Sequence, residues 1–332
     1  RLGVFDTPQQ EALAVAKHRA GAMTVGEDTE EERVEFLLKE LQGKRRLLPP
    51  IEGAAFSDEG YQQLGPMFND TVCDVLETFD MIARLPNGSL GAYVISMAQR
   101  PSDILAVRLL QTEAGMVTPM RVVPLFETLD DLNRAPAVMR ELWDIPWYKN
   151  DIGGGEAKQE VMLGYSDSAK DAGRLAAAWA QYTAQERLVE AAAESGVDLS
   201  LCHGKGGTVS RGGDPSTFRA ICAQPPGTVS GKFRITEQGE IITQNYAYRK
   251  VAERHLNTYT AALLYEKFLP HESRRPAPEH RKLMDEMSAV SVDAYRNVVR
   301  DDPRFIPYFR LATPEIEIAA LNLGSRPAKR RA

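Results

Sequence analysis

Short apolar segments alternate with longer helical segments through the middle of this 332-residue chain. The short segments are bounded by polar residues, which is typical of buried parallel strands. In the longer segments apolar residues recur every three or four positions, as on one face of a helix. This alternation predicts parallel strands joined by right-handed helical crossovers. The predicted strands are 92–97, 119–126, 159–165 and 198–203, and the predicted helices between them are 102–114, 129–142 and 168–195.

The helix predicted for 168–195 is the longest of these elements. It is rich in alanine, a strong helix former, and Gly196 is placed to end it. Helical spacing predicts a buried apolar stripe on this helix, made of Leu175, Trp179, Tyr182, Leu188 and Ala192.

Helical and strand patterns also occur before and after this alternating region. Residues 29–41 and 70–84 have apolar positions at helical spacing, and each segment predicts a helix. Residues 233–239 and 241–245 predict a further strand pair or one bent strand. Residues 251–268 return to a helical pattern.

Composition narrows the class of protein. Hydrophobic residues make up 43% of the chain, which is enough for a large core. The formal net charge is −6, from 46 acidic and 40 basic residues, so there is no general reason to bind nucleic acid or a membrane surface. Three cysteines without Cys-x-x-Cys spacing argue against a disulfide framework or structural zinc. With no signal peptide or membrane-length apolar stretch, the composition predicts a cytoplasmic protein.

The first candidate site is the segment 164–173, where a predicted strand meets a predicted helix. Asp167 and Lys170 lie at this corner, and α/β folds bind ligands at the carboxyl ends of their strands. A cation in a first helical turn opposes the helix dipole, so an anionic ligand near Lys170 is one interpretation. The alternative is a local ion pair of Lys170 with Asp167 or Asp171, beside an ordinary serine N-cap.

The second candidate site is the glycine-rich segment 201–213. Its glycines leave backbone amides accessible, so the loop could wrap closely around an anion. His203, Lys205 and Arg211 lie among these glycines. The pattern is neither a Walker loop nor a dinucleotide fingerprint. The alternative is a flexible loop with solvated charges. Its glycines are Gly204, Gly206, Gly207, Gly212 and Gly213.

A third candidate is Glu127, at the carboxyl end of the strand predicted for 119–126. Glu127 and Asp167 then occupy equivalent corners of successive strand-helix units. Two carboxylates from neighbouring strand ends, completed by water and a substrate phosphate, could hold Mg²⁺ or Mn²⁺. The alternative for Glu127 is simple complementarity to a helix dipole.

These segments together resemble the phosphoenolpyruvate carboxylase family. The sequence VMLGYSDSAKDAG at 161–173 matches the family's active-site lysine signature almost without a break. The resemblance runs from about residue 36 to the last residue. Further matching segments, in the family's order, are 92–97, 124–133, the histidine-glycine loop, 224–227, 236–240, 308–315 and 324–331.

The resemblance implies a fold and an activity. The expected fold is α/β with high helix content, part of a TIM-type (β/α)8 barrel with extra helices. Residues 86–332 would form the catalytic barrel portion and residues 1–85 a helical segment packed outside it. The family joins bicarbonate to phosphoenolpyruvate, giving oxaloacetate and phosphate through carboxyphosphate and the enolate of pyruvate. It uses Mg²⁺ or Mn²⁺ and forms homotetramers.

The resemblance also implies roles for single residues. Glu127 and Asp167 correspond to metal ligands, and Lys170 to a group that positions bicarbonate and carboxyphosphate. His203 corresponds to a histidine that places the carboxylating species, and Arg211 to a loop arginine needed for full carboxylation. The expected substrate-binding residues are Lys205, Gly206 and Gly207 in the loop and Arg326 in the phosphate pocket.

The chain also departs from the family pattern. Lys205 replaces the usual arginine, so a point charge stands where a bidentate fork is expected. The family's Thr-Ala-His-Pro-Thr motif, which carries its proton-transfer histidine, has no counterpart here. We therefore expect the central catalytic portion of a longer enzyme, or a truncated non-catalytic relative that binds metal and phosphoenolpyruvate without turnover. A nuclear-import or nucleic-acid patch at 326–331 is a weaker alternative, because so short a basic tail is poor evidence.

Overall fold

A computed structural model describes residues 29–43, 70–86, 88–204, 214–229, 231–236, 239–268 and 275–319. Helices dominate these residues, and the strands form one sheet in the order β1-β2-β3-β4-β5. The strands are β1 (Ala92–Ile95), β2 (Arg121–Phe126), β3 (Lys158–Gly164), β4 (Asp198–Gly204) and β5 (Arg234–Ile235). The helices are α1 (Glu30–Gln42), α2 (Asp70–Arg84), α3 (Pro101–Glu113), α4 (Leu129–Trp143), α5 (Pro146–Asp151), α6 (Ser166–Ala172), α7 (Arg174–Ser195), α8 (Asp214–Cys222), α9 (Gly239–Tyr246), α10 (Arg249–Phe268), α11 (Pro278–Val299), α12 (Phe305–Ala312) and α13 (Glu315–Ala319).

The helix-rich α/β class and the parallel strand pairing predicted from the sequence are confirmed. Strand β1 pairs with β2 in parallel, from Ala92 opposite Arg121 to Ile95 opposite Pro124, and β4 pairs with β5 in parallel. A complete eight-stranded barrel and the division at residue 85 stay predictions. No helix among the described residues is long and apolar enough to cross a bilayer.

The chain divides into two compact units. The first comprises Arg1–Leu125 and Ala137–Glu160, and its described core centres on α3, against which α1 and α2 pack. Thr29 begins α1 with a reciprocal capping box to Glu32. The second unit comprises Phe126–Pro136 and Val161–Ala332.

Two buried polar contacts hold α5 in the first unit. Arg108 of α3 makes a bidentate ion pair with Asp151, at 2.7 and 2.6 Å. Tyr148 donates to Gln159 Oε1 at 2.8 Å. Burial raises the pKa of Tyr148 above its ordinary range, and the nearby Asp151 carboxylate adds to the shift. The end of α5 is therefore fixed by satisfied polar groups.

In the second unit, α11 packs against α6 and α7, while α8 and α9 pack on α10. Ile221, Val229 and Ala262 form a buried apolar cluster in the latter group.

The single helix predicted for 168–195 is wrong. Gly173 separates α6 from α7 at φ 80° and ψ 161°, a conformation that favours glycine. Lys170 consequently lies in the last turn of a short helix rather than the first turn of a long one. Its charge complements the helix dipole there, so the dipole argument for an anionic ligand is also wrong.

The stripe predicted for α7 is corrected as well. Leu188 and Ala192 are buried, but Leu175 is exposed and Trp179 and Tyr182 are only half-buried. Small residues and two glutamines form most of the buried face, because α7 packs against α6, α11 and β4, which leaves little room for large side chains. The buried residues of α7 are Ala176, Ala177, Ala180, Gln181, Ala184, Gln185, Leu188, Ala191 and Ala192.

The strand predicted for 241–245 is wrong, because this segment lies in helix α9. Its β-branched residues favour a strand locally, but packing of α9 against α10 overrides that preference. Strand β5 covers only Arg234–Ile235 of the predicted 233–239.

Candidate active site

Three consecutive strand ends in the second unit carry the described site residues. Glu127 directly follows β2, Asp167 and Lys170 lie in α6 directly after β3, and His203 is the penultimate residue of β4. These are the carboxyl ends of the strands, where α/β proteins place their ligands.

The ends of β2 and β3 approach each other closely at Gly164. A Cβ atom at Gly164 would lie 2.9 Å from the Cα of Glu127, 3.1 Å from the Phe126 carbonyl oxygen and 3.3 Å from the Glu127 Cγ. Only a residue without a side chain fits there. The predicted meeting of the two strand ends is therefore visible in the backbone itself.

Ser168 fastens the same two strand ends. Its fully buried hydroxyl makes a very short hydrogen bond to the Glu127 carbonyl oxygen and lies 3.0 Å from the Gly164 carbonyl oxygen. Gln181 of α7 donates to the Gly164 oxygen at 2.6 Å. The backbone on which Glu127 is mounted is thus tied to the first turn of α6, next to Asp167.

A buried carboxylate, Asp171, forms a second connection. It accepts from the backbone amide of Leu129, at the start of α4, at 2.9 Å. Arg296 of α11 and Arg300, the C-cap residue of that helix, hold its other oxygen at 3.2 and 2.5 Å. Sequence reasoning considered Asp171 only as a partner for Lys170, and α11 offered no pattern that assigned its arginines to Asp171.

Lys170 and Asp167 form an ion pair, with Nζ 3.0 Å from Oδ1. This agrees with the local-pair alternative, although no serine caps α6 and Tyr165 occupies the N-cap position without a side-chain cap bond. The Lys170 side chain is 73% exposed and that of Asp167 is 37% exposed. An exposed pair of this kind contributes little to stability, so Lys170 retains the freedom to turn to an anionic ligand.

Glu127 and Asp167 suit a hard divalent cation as a pair of carboxylates. Glu127 is only 8% exposed, whereas Asp167 reaches solvent. Within the described ranges no group of three or more His, Cys, Asp or Glu side chains could enclose a metal. Mg²⁺ does not require such a group, because it commonly keeps several waters and binds through one or two carboxylates plus substrate phosphate.

His203 is 1% exposed and is held on both sides. The Tyr165 hydroxyl lies 2.7 Å from its Nδ1, and the Phe233 ring stacks on the imidazole with centroids 4.7 Å apart. The His203 carbonyl oxygen accepts from the Thr236 amide at 3.0 Å. Burial raises the pKa of Tyr165 above its ordinary range, with Cys202 as a second cause, so this phenol is protonated at neutral pH.

Sequence reasoning missed Tyr165 and Phe233 as partners of His203. Tyr165 was part of the matched lysine signature, and its position directly after β3 could have suggested an inward side chain. No sequence signal pointed to Phe233. The remaining predicted residues, Lys205, Gly206, Gly207, Arg211 and Arg326, lie outside the described residues.

Comparison with known proteins matches this chain to one family. A family model described as phosphoenolpyruvate carboxylase matches residues 7–332. The chain is 50% identical over 318 residues to phosphoenolpyruvate carboxylase 2 of Arabidopsis thaliana, covering 96% of this chain and 31% of that protein. It is 52% identical over 303 residues to phosphoenolpyruvate carboxylase 1 of the same plant, covering 91% of this chain and 29% of that protein. A relative from Medicago sativa, phosphoenolpyruvate carboxylase, is 50% identical over 321 residues, which is 96% of this chain and 31% of the relative. The chain thus spans less than a third of the length of these relatives.

Proposed function

The chain belongs to the phosphoenolpyruvate carboxylase family, and we propose that it supplies catalytic groups for joining bicarbonate to phosphoenolpyruvate. The products are oxaloacetate and phosphate. The observation that carries this proposal is the close approach of the Glu127 and Asp167 corners, held together by Gly164 and Ser168. It supports a single ligand site at the carboxyl ends of β2 and β3.

Glu127 and Asp167 would hold the divalent ion, Mg²⁺ or Mn²⁺. When bound, the cation neutralises charge on the phosphorylated substrate and on the enolate oxygen. Burial of Glu127 restricts its side chain, and the hydrogen bond of Ser168 to its carbonyl oxygen fixes the backbone that carries it. The more exposed Asp167 leaves the other side open to substrate and water.

The proposed reaction has two steps. A bicarbonate oxygen attacks the phosphorus while the bond from phosphorus to the enolate oxygen breaks, which gives carboxyphosphate and the pyruvate enolate. Carboxyphosphate then releases carbon dioxide and phosphate, and the enolate carbon attacks the carbon dioxide. Both steps move negative charge between oxygens, so the protein must supply cations and exclude water.

Lys170 and His203 would place the carboxylating species. The Lys170 ammonium lies one helical turn from Asp167, close enough to neutralise an oxyanion bound beside the metal ligands. The imidazole of His203 is buried and oriented by Tyr165 and Phe233, so it loses little freedom when it donates a hydrogen bond.

The glycine loop and the end of the chain would complete the site. We propose that Arg211 acts in carboxylation after substrate has bound. Lys205, Gly206, Gly207 and Arg326 would bind substrate, with Arg326 in the phosphate pocket. Lys205 would hold an oxyanion as a point charge, with looser orientation than the arginine of the family pattern gives.

A second candidate function is binding of metal and phosphoenolpyruvate without turnover. The chain lacks the Thr-Ala-His-Pro-Thr motif that carries the family's proton-transfer histidine. The retained Glu127, Asp167, Lys170 and His203 favour catalysis, and the same residues would serve binding without turnover.

One experiment separates these functions. The chain is mixed with Mg²⁺, phosphoenolpyruvate and ¹³C-bicarbonate, and NMR follows labelled oxaloacetate while a colorimetric assay follows phosphate. Equal amounts of both products, absent without bicarbonate, support carboxylation. Metal-dependent phosphoenolpyruvate binding in calorimetry without product supports the second candidate. Failure to bind phosphoenolpyruvate at millimolar metal contradicts both.

We propose that the protein acts in the cytoplasm and assembles as a homotetramer. Apolar side chains on α11 and α12 that are at least half-exposed provide surface that association could bury, namely Leu283, Val290, Ile306 and Leu311. Light scattering on the purified chain tests the assembly. A mass four times that of one chain supports the tetramer, and a monomer at high protein concentration contradicts it for this chain.

A further inference from the structure

We propose that Tyr165 is a positioning residue that selects the tautomer of His203, by donating its hydroxyl hydrogen to Nδ1 so that the ring hydrogen resides on Nε2. This inference rests on the proposed function for the role of His203 in catalysis. The pairing itself follows from the geometry of the two side chains.

The two residues come from adjacent strand ends. Tyr165 lies between β3 and α6, with φ −122° and ψ −57°, and His203 lies near the end of β4. Their oxygen and Nδ1 are 2.7 Å apart, a short and well-formed contact. The approach of β3 to β4 is tight here, since a Cβ atom at Gly204 would lie 2.8 Å from the Leu163 carbonyl oxygen. Backbone packing therefore fixes the positions of Tyr165 and His203 relative to each other.

The imidazole has little freedom to change its orientation. Phe233 stacks on the His203 ring with an interplanar angle of 27°. The His203 backbone is fixed by pairing of β4 with β5, in which His203 lies opposite Ile235. A ring flip would take Nδ1 away from the phenol and would have to occur in a nearly water-free site.

Elementary chemistry sets the direction of the hydrogen bond. A phenol O–H is a stronger donor than a neutral imidazole N–H, and an imidazole nitrogen lone pair is a stronger acceptor than a phenol oxygen. The favoured arrangement is therefore O–H of Tyr165 donating to Nδ1 of His203. Neutral imidazole then carries its hydrogen on Nε2.

The consequence for catalysis is specific. With Nδ1 accepting from Tyr165, His203 serves as a neutral hydrogen-bond donor through Nε2–H. An oxygen of the bicarbonate-derived species is the acceptor that this donor suits. In the opposite tautomer Nε2 would present a lone pair and repel such an oxygen.

The direct test is long-range ¹H–¹⁵N NMR of the protein labelled with ¹⁵N-histidine, recorded without substrate. His203→Gln assigns the His203 signals among the five histidines. In the unsubstituted protein we expect Nδ1 to show the shift of an unprotonated nitrogen and Nε2 that of a protonated one. Tyr165→Phe should produce a tautomer mixture or the opposite tautomer. Tyr148→Phe is the matched control, since it removes another buried tyrosine hydroxyl and should leave the His203 signals in place.

A protonated Nδ1 in the unsubstituted protein would overturn the proposal, even if Tyr165→Phe failed to fold. An unchanged tautomer in folded Tyr165→Phe would overturn it as well. In a turnover assay, Tyr165→Phe should lower kcat/KM for bicarbonate about tenfold and spare phosphoenolpyruvate binding. Because the NMR test needs no turnover, the expected tautomer in a protein that neither carboxylates nor binds phosphoenolpyruvate would contradict both proposed functions and leave the Tyr165–His203 pairing standing.

Discussion

Gly164 lies so close to Glu127 that no side chain fits between them, since a Cβ atom at Gly164 would be 2.9 Å from the Glu127 Cα. The contact joins the strand end that carries one proposed metal ligand to the strand end that precedes the other. The spacing of the two strand ends is therefore set by main-chain packing, which is more rigid than side-chain contact.

Gly164→Ala should destabilise the protein and displace Glu127. The added methyl group meets backbone atoms that cannot move aside, so we expect a loss of about 1–3 kcal/mol in the free energy of unfolding. Urea unfolding measures it. Gly155→Ala is the control, because a Cβ there meets nothing within 4 Å, and it should be neutral or stabilising by up to about 1 kcal/mol. Equal effects of the two substitutions would contradict the close approach.

Ser168→Ala should cost about 1–3 kcal/mol, because it removes the buried donor to the Glu127 carbonyl oxygen. Ser166→Ala is the comparison. The Ser166 hydroxyl donates a hydrogen bond to Asp167 Oδ2 at 3.1 Å, and this contact is only partly buried. It should change the unfolding free energy by less than about 1 kcal/mol. If both variants unfold at the same urea concentration, Ser168 does not fasten the two strand ends.

Asp171→Asn should destabilise the second unit. The substitution removes the charge that holds Arg296 and Arg300 and weakens the bond to the Leu129 amide. We expect a loss of about 1–3 kcal/mol, reduced from the value for a fully buried pair because both arginines reach solvent. Hydrogen exchange should show faster exchange of the Leu129 amide. Asp130→Asn breaks an exposed ion pair with Arg134 and should neither destabilise the protein nor speed exchange of the Leu129 amide. Similar effects in both variants would contradict the structural role of Asp171.

Tyr148 gives a prediction on pH. Burial raises its pKa in the folded state, so folding keeps this phenol protonated. The associated stability is fully present below the unfolded-state pKa near 10 and is lost as pH rises above it, because only the unfolded chain ionises there. Between about pH 9 and about pH 11 the unsubstituted protein should lose about 1.4 kcal/mol relative to Tyr148→Phe, as measured by urea unfolding. A constant difference between the two proteins would show that the folded phenol titrates normally.

Much of the fold was predictable from local patterns. Strands β1 to β4 and helices α1 to α4 lie close to their predicted positions, because buried strands and amphipathic helices each impose a distinct period on the sequence. The break at Gly173 was not predicted. A glycine inside a helical pattern does not reveal that its φ is positive or that the Tyr295 ring lies against it, where a Cβ atom would be 3.1 Å from that ring.

The positions of the described candidate residues in the fold were predictable from the sequence, whereas the partners that hold them were not. Glu127, Asp167 and Lys170 follow strand ends and His203 lies near one, and these positions can be predicted from the sequence pattern. Their partners come from far along the chain. Arg300 reaches Asp171 across 129 positions, and Phe233 reaches His203 through a two-residue strand that no periodicity marks. Contacts of this kind depend on tertiary packing, which local patterns do not contain.

The central claim is that Glu127 and Asp167 hold one divalent cation between them. Titration of Mn²⁺ into the protein, followed by electron paramagnetic resonance, tests this claim without requiring turnover. We predict one site per chain, with an affinity that falls by at least about tenfold in Glu127→Gln and in Asp167→Asn and is unchanged in Asp130→Asn. Titrations of Glu127→Gln and Asp167→Asn that coincide with that of the unsubstituted protein would contradict the account.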